Sequence, residues 1–409
     1  MTKTEAYQDS IQFLGLTKKN GVGVGELYAL KPTNNGGNFV WSRALSAYRT
    51  NQEGVMELVA SGTPRVDYTN TCPELLIEKA STNKLLQSET FNTSWTAEKL
   101  TITNNAVVAP NGLTVADSLV PTVVSGVHRI QQAKAVAGQV GTMYVYAKAN
   151  GYNWIALENG GEVAYFNIST GVVGTVSAGT ATMKLVNGFY QCIFTCTGLN
   201  TKSNIYIASA DNTVTFTGNG TSGVYLWGSQ FEQSTYATSY IPTTTASVTR
   251  PQDKAYNTTI AYGLKGTIFI RARIFSSTYT KVDTLFSLND ETLDDYITCS
   301  TNASRSIFIT TMGGAIDTNS YNYSLASDGI YSIAIGYDFT GVNNKVNIAI
   351  NGVLKRANAA QTNNPPVALS RFDLGSLYET LPSVDNRIIG QMYFADQLSD
   401  TDLTALTVQ

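Results

Sequence analysis

The chain has 409 residues, enough for two or three domains at roughly 100 to 200 residues each. Its 27 Lys plus Arg stand against 30 Asp plus Glu, a net charge of -3 that offers no basic face for phosphates and excludes a nucleic-acid partner from the expected ones. Only 14% of residues are charged, whereas Gly numbers 34 and Tyr 23, so strands and tight turns are favoured over helices.

Residues 1–38 lack apolar periodicity and end in the turn-forming run PTNNGGN, Pro32 to Asn38. They read as a docking arm, ordered only against a partner and without a core of its own. The start has no cleavable apolar stretch, and no run of about eighteen apolar residues follows anywhere, so membrane insertion is not expected. The run GVGVG at Gly21 to Gly25 lacks the spacing of a nucleotide loop, and no helical pattern follows to supply an anion-binding N-terminus.

Residues 39–90 read as a short β-rich module, with turns at Asn51 to Gly54, Gly62 to Pro64 and Asn70 to Pro73. From 91 to 242 the period-two pattern predicts a sandwich. Its strands fall at Leu100–Thr103, His128–Lys134, Thr142–Ala149, Asn153–Leu157, Val163–Asn167, Met183–Leu185, Phe189–Cys196, Asn204–Ser209 and Val224–Phe231. Pro242 ends the last strand, and Thr243, Thr244, Thr245 and Ser247 have nothing apolar to bury, so residues 243–257 read as an extended, exposed linker.

A second sandwich is expected over 258–409. Gly266–Phe275 and Ile330–Asp338 alternate, Asn351-Gly352 marks a type I′ hairpin between two apolar strands, and Ser399 with Asp402 caps a short helix. The fold class expected is therefore all-β: two tandem antiparallel β-sandwich domains behind an N-terminal docking segment.

The cysteines are Cys72, Cys192, Cys196 and Cys299. Cys192 and Cys196 sit four apart on one strand face, about 13 Å apart at a rise of roughly 3.3 Å per residue and beyond disulfide reach, so they read as buried thiols. No His or Cys stands at metal-ligand spacing, and the lone His128 has no catalytic partners by motif, so no cofactor, metal or catalytic set is expected. The acidic run Asp290, Glu291, Asp294 and Asp295 misses the EF-hand pattern and reads as a solvated loop. The Asn-x-Ser/Thr triplets at Asn92, Asn167, Asn219 and Asn257 read as by-products of composition.

An ordered series of motifs resembles a family. The run SRALSAYRTNQEGVMELVASGTPRVDY at Ser42 to Tyr68 carries Arg43, Arg49, Asn51, Gly54, Glu57, Pro64, Arg65 and Asp67. LLIE follows at Leu75 to Glu78, then Thr82, Asn83, Phe91 and Trp95. GLTVA, MYVYAKA, LWGSQFE and the closing phrase TSYIPTTTASVTR complete it, the last ending at Arg250. This series, over residues 39–250, resembles the module preceding the spike and fibre domains of tailed bacteriophages, and implies a jelly roll similar to carbohydrate-binding modules. The parts of 256–409 in turn resemble the laminin-G or concanavalin-A-like lectin sandwich.

The resemblance implies a virion structural protein, a head or tail fibre or spike displayed on the particle. It would touch other virion proteins through residues 1–38, assemble as a homo-oligomer (trimer or dimer), and adhere to host-surface glycans. Sugar recognition needs flat rings for stacking plus amides and carboxylates for hydroxyls. Tyr152, Asn153, Trp154 and Glu158 supply that chemistry in the first sandwich, and Tyr321, Asn322 and Tyr323 in the second. Trp227, inside the exit strand, reads as packing. The alternatives are a polysaccharide depolymerase and a ligand-free decoration protein.

Overall fold

The computed structural model describes residues 2–10, 12–15, 22–23, 26–134, 140–197, 202–275, 283–302, 306–314, 317–341, 344–360, 364–378, 381–382 and 385–408. The fold is all-β, built from antiparallel sheets, with short helices at Lys3–Asp9 and Asp400–Leu406. It divides into two units. A terminal sandwich takes residues 1–46, 59–80 and 251–409, and a middle sandwich takes 47–58 and 81–250.

In the terminal sandwich an eight-stranded sheet is centred on Lys265–Ile274, flanked by Gly329–Asp338 and Asp385–Phe394. A nine-stranded sheet runs from Val22–Gly23 to Asp317–Ser324. One continuous core joins their facing residues, Ile268, Ile270, Ile333 and Ile335 from the first and Phe286, Leu288, Ile297 and Phe372 from the second. Burial of such branched and aromatic side chains is the main force holding the layers together. Asn351 and Gly352 both have positive φ, 48° and 75°, between Lys345–Ile350 and Val353–Ala360, as the type I′ turn requires. Ser399 accepts a hydrogen bond from the Asp402 N–H and caps the last helix.

The N-terminal ninety residues differ from the sequence expectation of a separate arm and a separate module. Gln12–Gly15 pairs with Asp385–Phe394, Glu26–Leu27 pairs with Phe39–Ser42, and Phe39–Ser42 pairs with Lys254–Asn257. Arg65–Asp67 and Glu74–Glu78 extend the eight-stranded sheet. Leu14, Leu27, Phe39, Trp41, Leu75 and Ile77 are buried in the terminal core. These strands have two to five residues each, too few to show periodicity alone, and they are stable because they add to sheets built elsewhere.

The signature residues of the opening motif form a buried ion cluster there. Arg43 Nη1 meets Asp253 Oδ1 at 3.0 Å, Arg65 meets Asp253 through Oδ2, and Arg65 Nη1 meets Glu78 Oε2 at 2.8 Å. Arg43 also donates to the carbonyls of Leu45, Ala60 and Thr63. Every guanidinium is thus matched, which is what burial demands of a charge.

The middle sandwich packs two six-stranded sheets. The first orders Thr96–Glu98, Arg129–Ala133, Lys202–Ala208, Trp154–Asn159, Glu162–Asn167 and Val172–Val176. The second orders Leu100–Val108, Thr114–Pro121, Gly223–Glu232, Gly141–Asn150, Phe189–Cys196 and Thr180–Val186. Ile130, Ile155, Leu157, Phe166, Ile205 and Ile207 of the first face Met143, Val145, Phe194, Val224 and Leu226 of the second. Cys192 and Cys196 are buried in this core, and both thiols are free. Burial pushes the Cys192 thiol well above its usual range.

The proposed linker is pinned at both ends rather than exposed throughout. Thr243 is buried: its N–H donates to Ser88 Oγ at 2.8 Å and its hydroxyl to the Leu85 carbonyl at 2.6 Å. Val248–Arg250 then pairs with Ser81–Asn83, and Lys254–Asn257 enters the nine-stranded sheet, so the continuous exposed run is 244–247.

Candidate functional site

Alternation along each strand of the first middle sheet sends isoleucines inward and a second set of side chains outward. The pairings fix who meets whom on that outer face. Glu98, Arg129, Tyr206, Ala156 and Tyr165 stand in one transverse row. Thr96, Gln131, Asn204, Glu158 and Val163 stand in the next, and Ala208 sits opposite Trp154 in a third.

Trp154, Tyr165 and Tyr206 form a small aromatic cluster over Ala156 and Ala208, with Val163 and Val214 beside them. Alanine at both positions leaves room for the rings. Gly174, on the edge strand, is dictated by the same packing: a Cβ there would lie 2.6 Å from the Trp154 ring and 2.4 Å from Asp211 Oδ1. Asp211 is held by the Thr175 N–H at 2.9 Å and the Thr175 hydroxyl at 3.0 Å.

A polar ladder runs beside the rings. Arg129 Nε donates to Glu98 Oε2 at 3.0 Å, and Arg129 Nη1 donates to the Tyr206 hydroxyl at 3.0 Å. Tyr206 donates to Glu158 Oε2 at 3.0 Å, and Asn204 Nδ2 donates to the same oxygen. The Gly161 N–H donates to Glu158 Oε1 at 3.0 Å. Burial opposes the charge on Arg129, but Tyr206 and Glu98 outweigh it and hold the guanidinium firmly protonated. Burial raises the Tyr206 hydroxyl, and Arg129 pulls the other way. The Tyr165 hydroxyl is raised by burial and then by Asp211.

Two acceptor or donor sets on this face are unspent among the described residues. Asn204 is 4% exposed, and its Oδ1 has no hydrogen-bond partner. Gln131, its cross-strand neighbour, is half-buried, and no partner contacts its amide. A buried amide oxygen without a partner costs about 1 to 3 kcal/mol, a penalty that a hydroxyl donor from a ligand would remove. The face therefore offers stacking surface, two amides and an oriented carboxylate, the set that pairs with sugar rings and their hydroxyls.

Of the residues singled out in the sequence, Trp154 and Glu158 come together here, two positions apart from Ala156 on one strand face. Tyr152 does not join them. Its ring packs on Phe216 with centroids 5.1 Å apart, against the middle core. Asn153 is exposed outside the strand, where its carbonyl accepts from the Ile168 N–H.

Tyr321, Asn322 and Tyr323 lie on Asp317–Ser324 at the end of the nine-stranded sheet and are split by its pleat. Tyr321 and Tyr323 pack against the terminal core, with the Arg356 guanidinium 4.0 Å over the Tyr321 ring, while Asn322 is exposed opposite Phe308.

Arg129, Gln131, Asn204 and Tyr206 went unread in the sequence, although Ile130, Ile205 and Ile207 between them mark the inward parity. The signal was the outward half of two strands already predicted. His128 is fully buried, with its ring nitrogens against the carbonyls of Lys99 and Phe216 at 2.8 and 3.1 Å. Asp295 is buried and spends its oxygens on the N–H groups of Gly314 and Val367, and Asp290 caps Thr292. Among the described residues no group of His, Cys, Asp and Glu is arranged to hold a metal.

No family model matches the chain, and no curated protein matches it. Among solved structures it is similar to the carbohydrate-binding module CBM40 of the Ruminococcus gnavus IT-sialidase, at 18% identity and a TM-score of 0.30, over 36% of this chain and 84% of that one. It is also similar to the receptor binding domain of botulinum neurotoxin mosaic serotype C/D, at 14% identity and a TM-score of 0.30, over 37% of this chain and 38% of that one. A SAP-like pentraxin from Limulus polyphemus gives 10% identity and a TM-score of 0.25, over 34% of this chain and 68% of that one. Likeness at this level carries no functional argument, and the site stands on its own residues.

Proposed function

We propose that the outer face carrying Trp154 and Tyr206 binds glycans and that the chain works by adhesion. One observation carries this reading: the buried, unpartnered Oδ1 of Asn204, set between the free amide of Gln131 and the carboxylate of Glu158 beside the half-buried rings of Trp154 and Tyr206. A hydroxyl-rich ring satisfies all three at once. The face is a sheet surface rather than a gathering of acid groups across a cleft, which favours binding over hydrolysis. Single sites of this kind are weak, so multiple copies on one particle would raise avidity through effective concentration.

The ordered motifs over 39–250 support a setting for that adhesion, a fibre or spike on the surface of a tailed-phage virion, assembled as a homo-oligomer with host-surface glycans as partners. The test is a glycan array probed with the full chain in multivalent form. Signal on a defined group of glycans, lost in Trp154→Ala and in Asn204→Leu, is expected. Silence across the array, or signal that both variants keep, would refute the assignment.

A further inference from the structure

The middle sandwich buries a lysine amine against a side-chain amide. Lys134 follows the Arg129–Ala133 strand, and Asn159 closes the Trp154–Asn159 strand. The Lys202–Ala208 strand lies between them, its Ser203 paired with Gln132 on one side and Asn159 on the other. Lys134 is 5% exposed, Asn159 1%, and Ser203 and Cys196 0%.

The contacts around the amine are specific. Lys134 Nζ donates to Asn159 Oδ1, to the Lys202 carbonyl at 2.7 Å and to Ser203 Oγ at 3.0 Å. Asn159 Nδ2 donates to Cys196 Sγ at 2.5 Å, and Cys196 Sγ donates to the Gly141 carbonyl at 3.3 Å. The Phe231 ring lies 4.4 Å from Nζ and walls the site. No carboxylate is hydrogen-bonded or ion-paired to this lysine among the described residues, so its charge is buried with neutral acceptors alone. Burial lowers the amine to about 8, against smaller upward pulls from Cys196 and Glu158.

We propose that Lys134 and Asn159 join in an intramolecular isopeptide bond. Once deprotonated, the amine gives up one of its donor contacts and turns its lone pair onto Asn159 Cγ. The Nζ–Cγ bond forms, the Cγ–Nδ2 bond breaks, and one proton passes from Nζ to the departing nitrogen, which leaves as ammonia. Nothing is oxidised or reduced, and no co-reactant is needed. Ser203 Oγ, in contact with Nζ, relays the proton, while Cys196 Sγ holds the leaving nitrogen. The product amide is uncharged, so the cost of the buried ammonium disappears. The new bond staples two strands across a third and restricts the unfolded chain as other covalent loop closures do. It does not depend on the glycan face.

Intact-mass spectrometry of the full chain, after incubation above pH 8, tests this. The expected mass is one ammonia below that of the sequence, with a branched tryptic peptide joining the segments of Lys134 and Asn159. Lys134→Met should restore the unlinked mass. The rate should fall roughly tenfold for each pH unit below about 8, following the neutral amine. The full sequence mass after prolonged incubation would overturn the proposal, and so would a deficit that Lys134→Met retains. The decisive reading comes from the unaltered chain, so poor folding of a variant leaves the result intact.

Discussion

The two outer faces of the middle sandwich carry the same kinds of residue and meet opposite fates. On the sheet of Gly223–Glu232, Trp227, Tyr144 and Tyr146 stand outward, and Tyr48 and Tyr240 close over them. Trp227 lies 4.7 Å from Tyr240, 5.3 Å from Tyr146 and 6.1 Å from Tyr48 by ring centroids, and is fully buried. On the sheet of Trp154–Asn159, Trp154 and Tyr206 stay half-buried, and their polar neighbours bond sideways to one another. An aromatic ring on a strand becomes packing or platform according to whether the same chain supplies a lid, and strand periodicity is identical in both cases.

The largest expected effect breaks the covered face. Trp227→Ala should lower the stability of the middle sandwich by about 3 to 5 kcal/mol, the cost of removing a large buried ring, measured as a shift of its urea transition. A loss under about 1 kcal/mol would mean that Tyr48 and Tyr240 do not cap that face.

Trp154→Ala should separate the two faces. Its expected cost is about tenfold or more in glycan affinity, near 1.4 kcal/mol, by calorimetry, with a stability loss well below that of Trp227→Ala. Equal stability losses would erase the distinction between platform and packing. Glu158→Gln should follow with about 1 kcal/mol of lost affinity, because the neutral amide turns one of its acceptor oxygens into a donor facing either Asn204 and Tyr206 or the Gly161 N–H. Unchanged affinity would remove Glu158 from the site.

The smallest effect is a pH dependence on the covered face. Glu232 is fully buried and accepts from Ser81, Gln230 and Thr238. Burial outweighs those donors and lifts its carboxyl above the usual range. The folded chain therefore keeps this proton where the unfolded chain has released it. That contribution is full below about 4.5 and drains as pH rises through the folded-state value. Measured as the difference between the unaltered chain and Glu232→Gln, stability should fall with rising pH in that window. A rise would contradict the burial argument.

Most of the sandwich strands were legible because period-two alternation survives in long strands such as Gly141–Asn150 and Lys265–Ile274. The Asn351-Gly352 turn and the Ser399 cap were legible because their chemistry is local. The first ninety residues were not. Gln12 finds its partner at Tyr393, and Glu78 finds Asp385, so no local window contains the pairing that orders them. Nor was the Gly228 bulge, with φ 64°, which shifts Gln230 into the parity of Trp227. Only part of the candidate site was visible: Trp154 and Glu158 share one strand, but Arg129, Gln131, Asn204 and Tyr206 reach them only across strand pairs.

The chain has four tryptophans, whose indole N–H signals are separable by NMR. Titration with an oligosaccharide that the chain binds tests the central claim directly. The account predicts that the Trp154 signal moves with ligand while the buried Trp227 signal stays in place. A bound ligand that leaves Trp154 unmoved would contradict it.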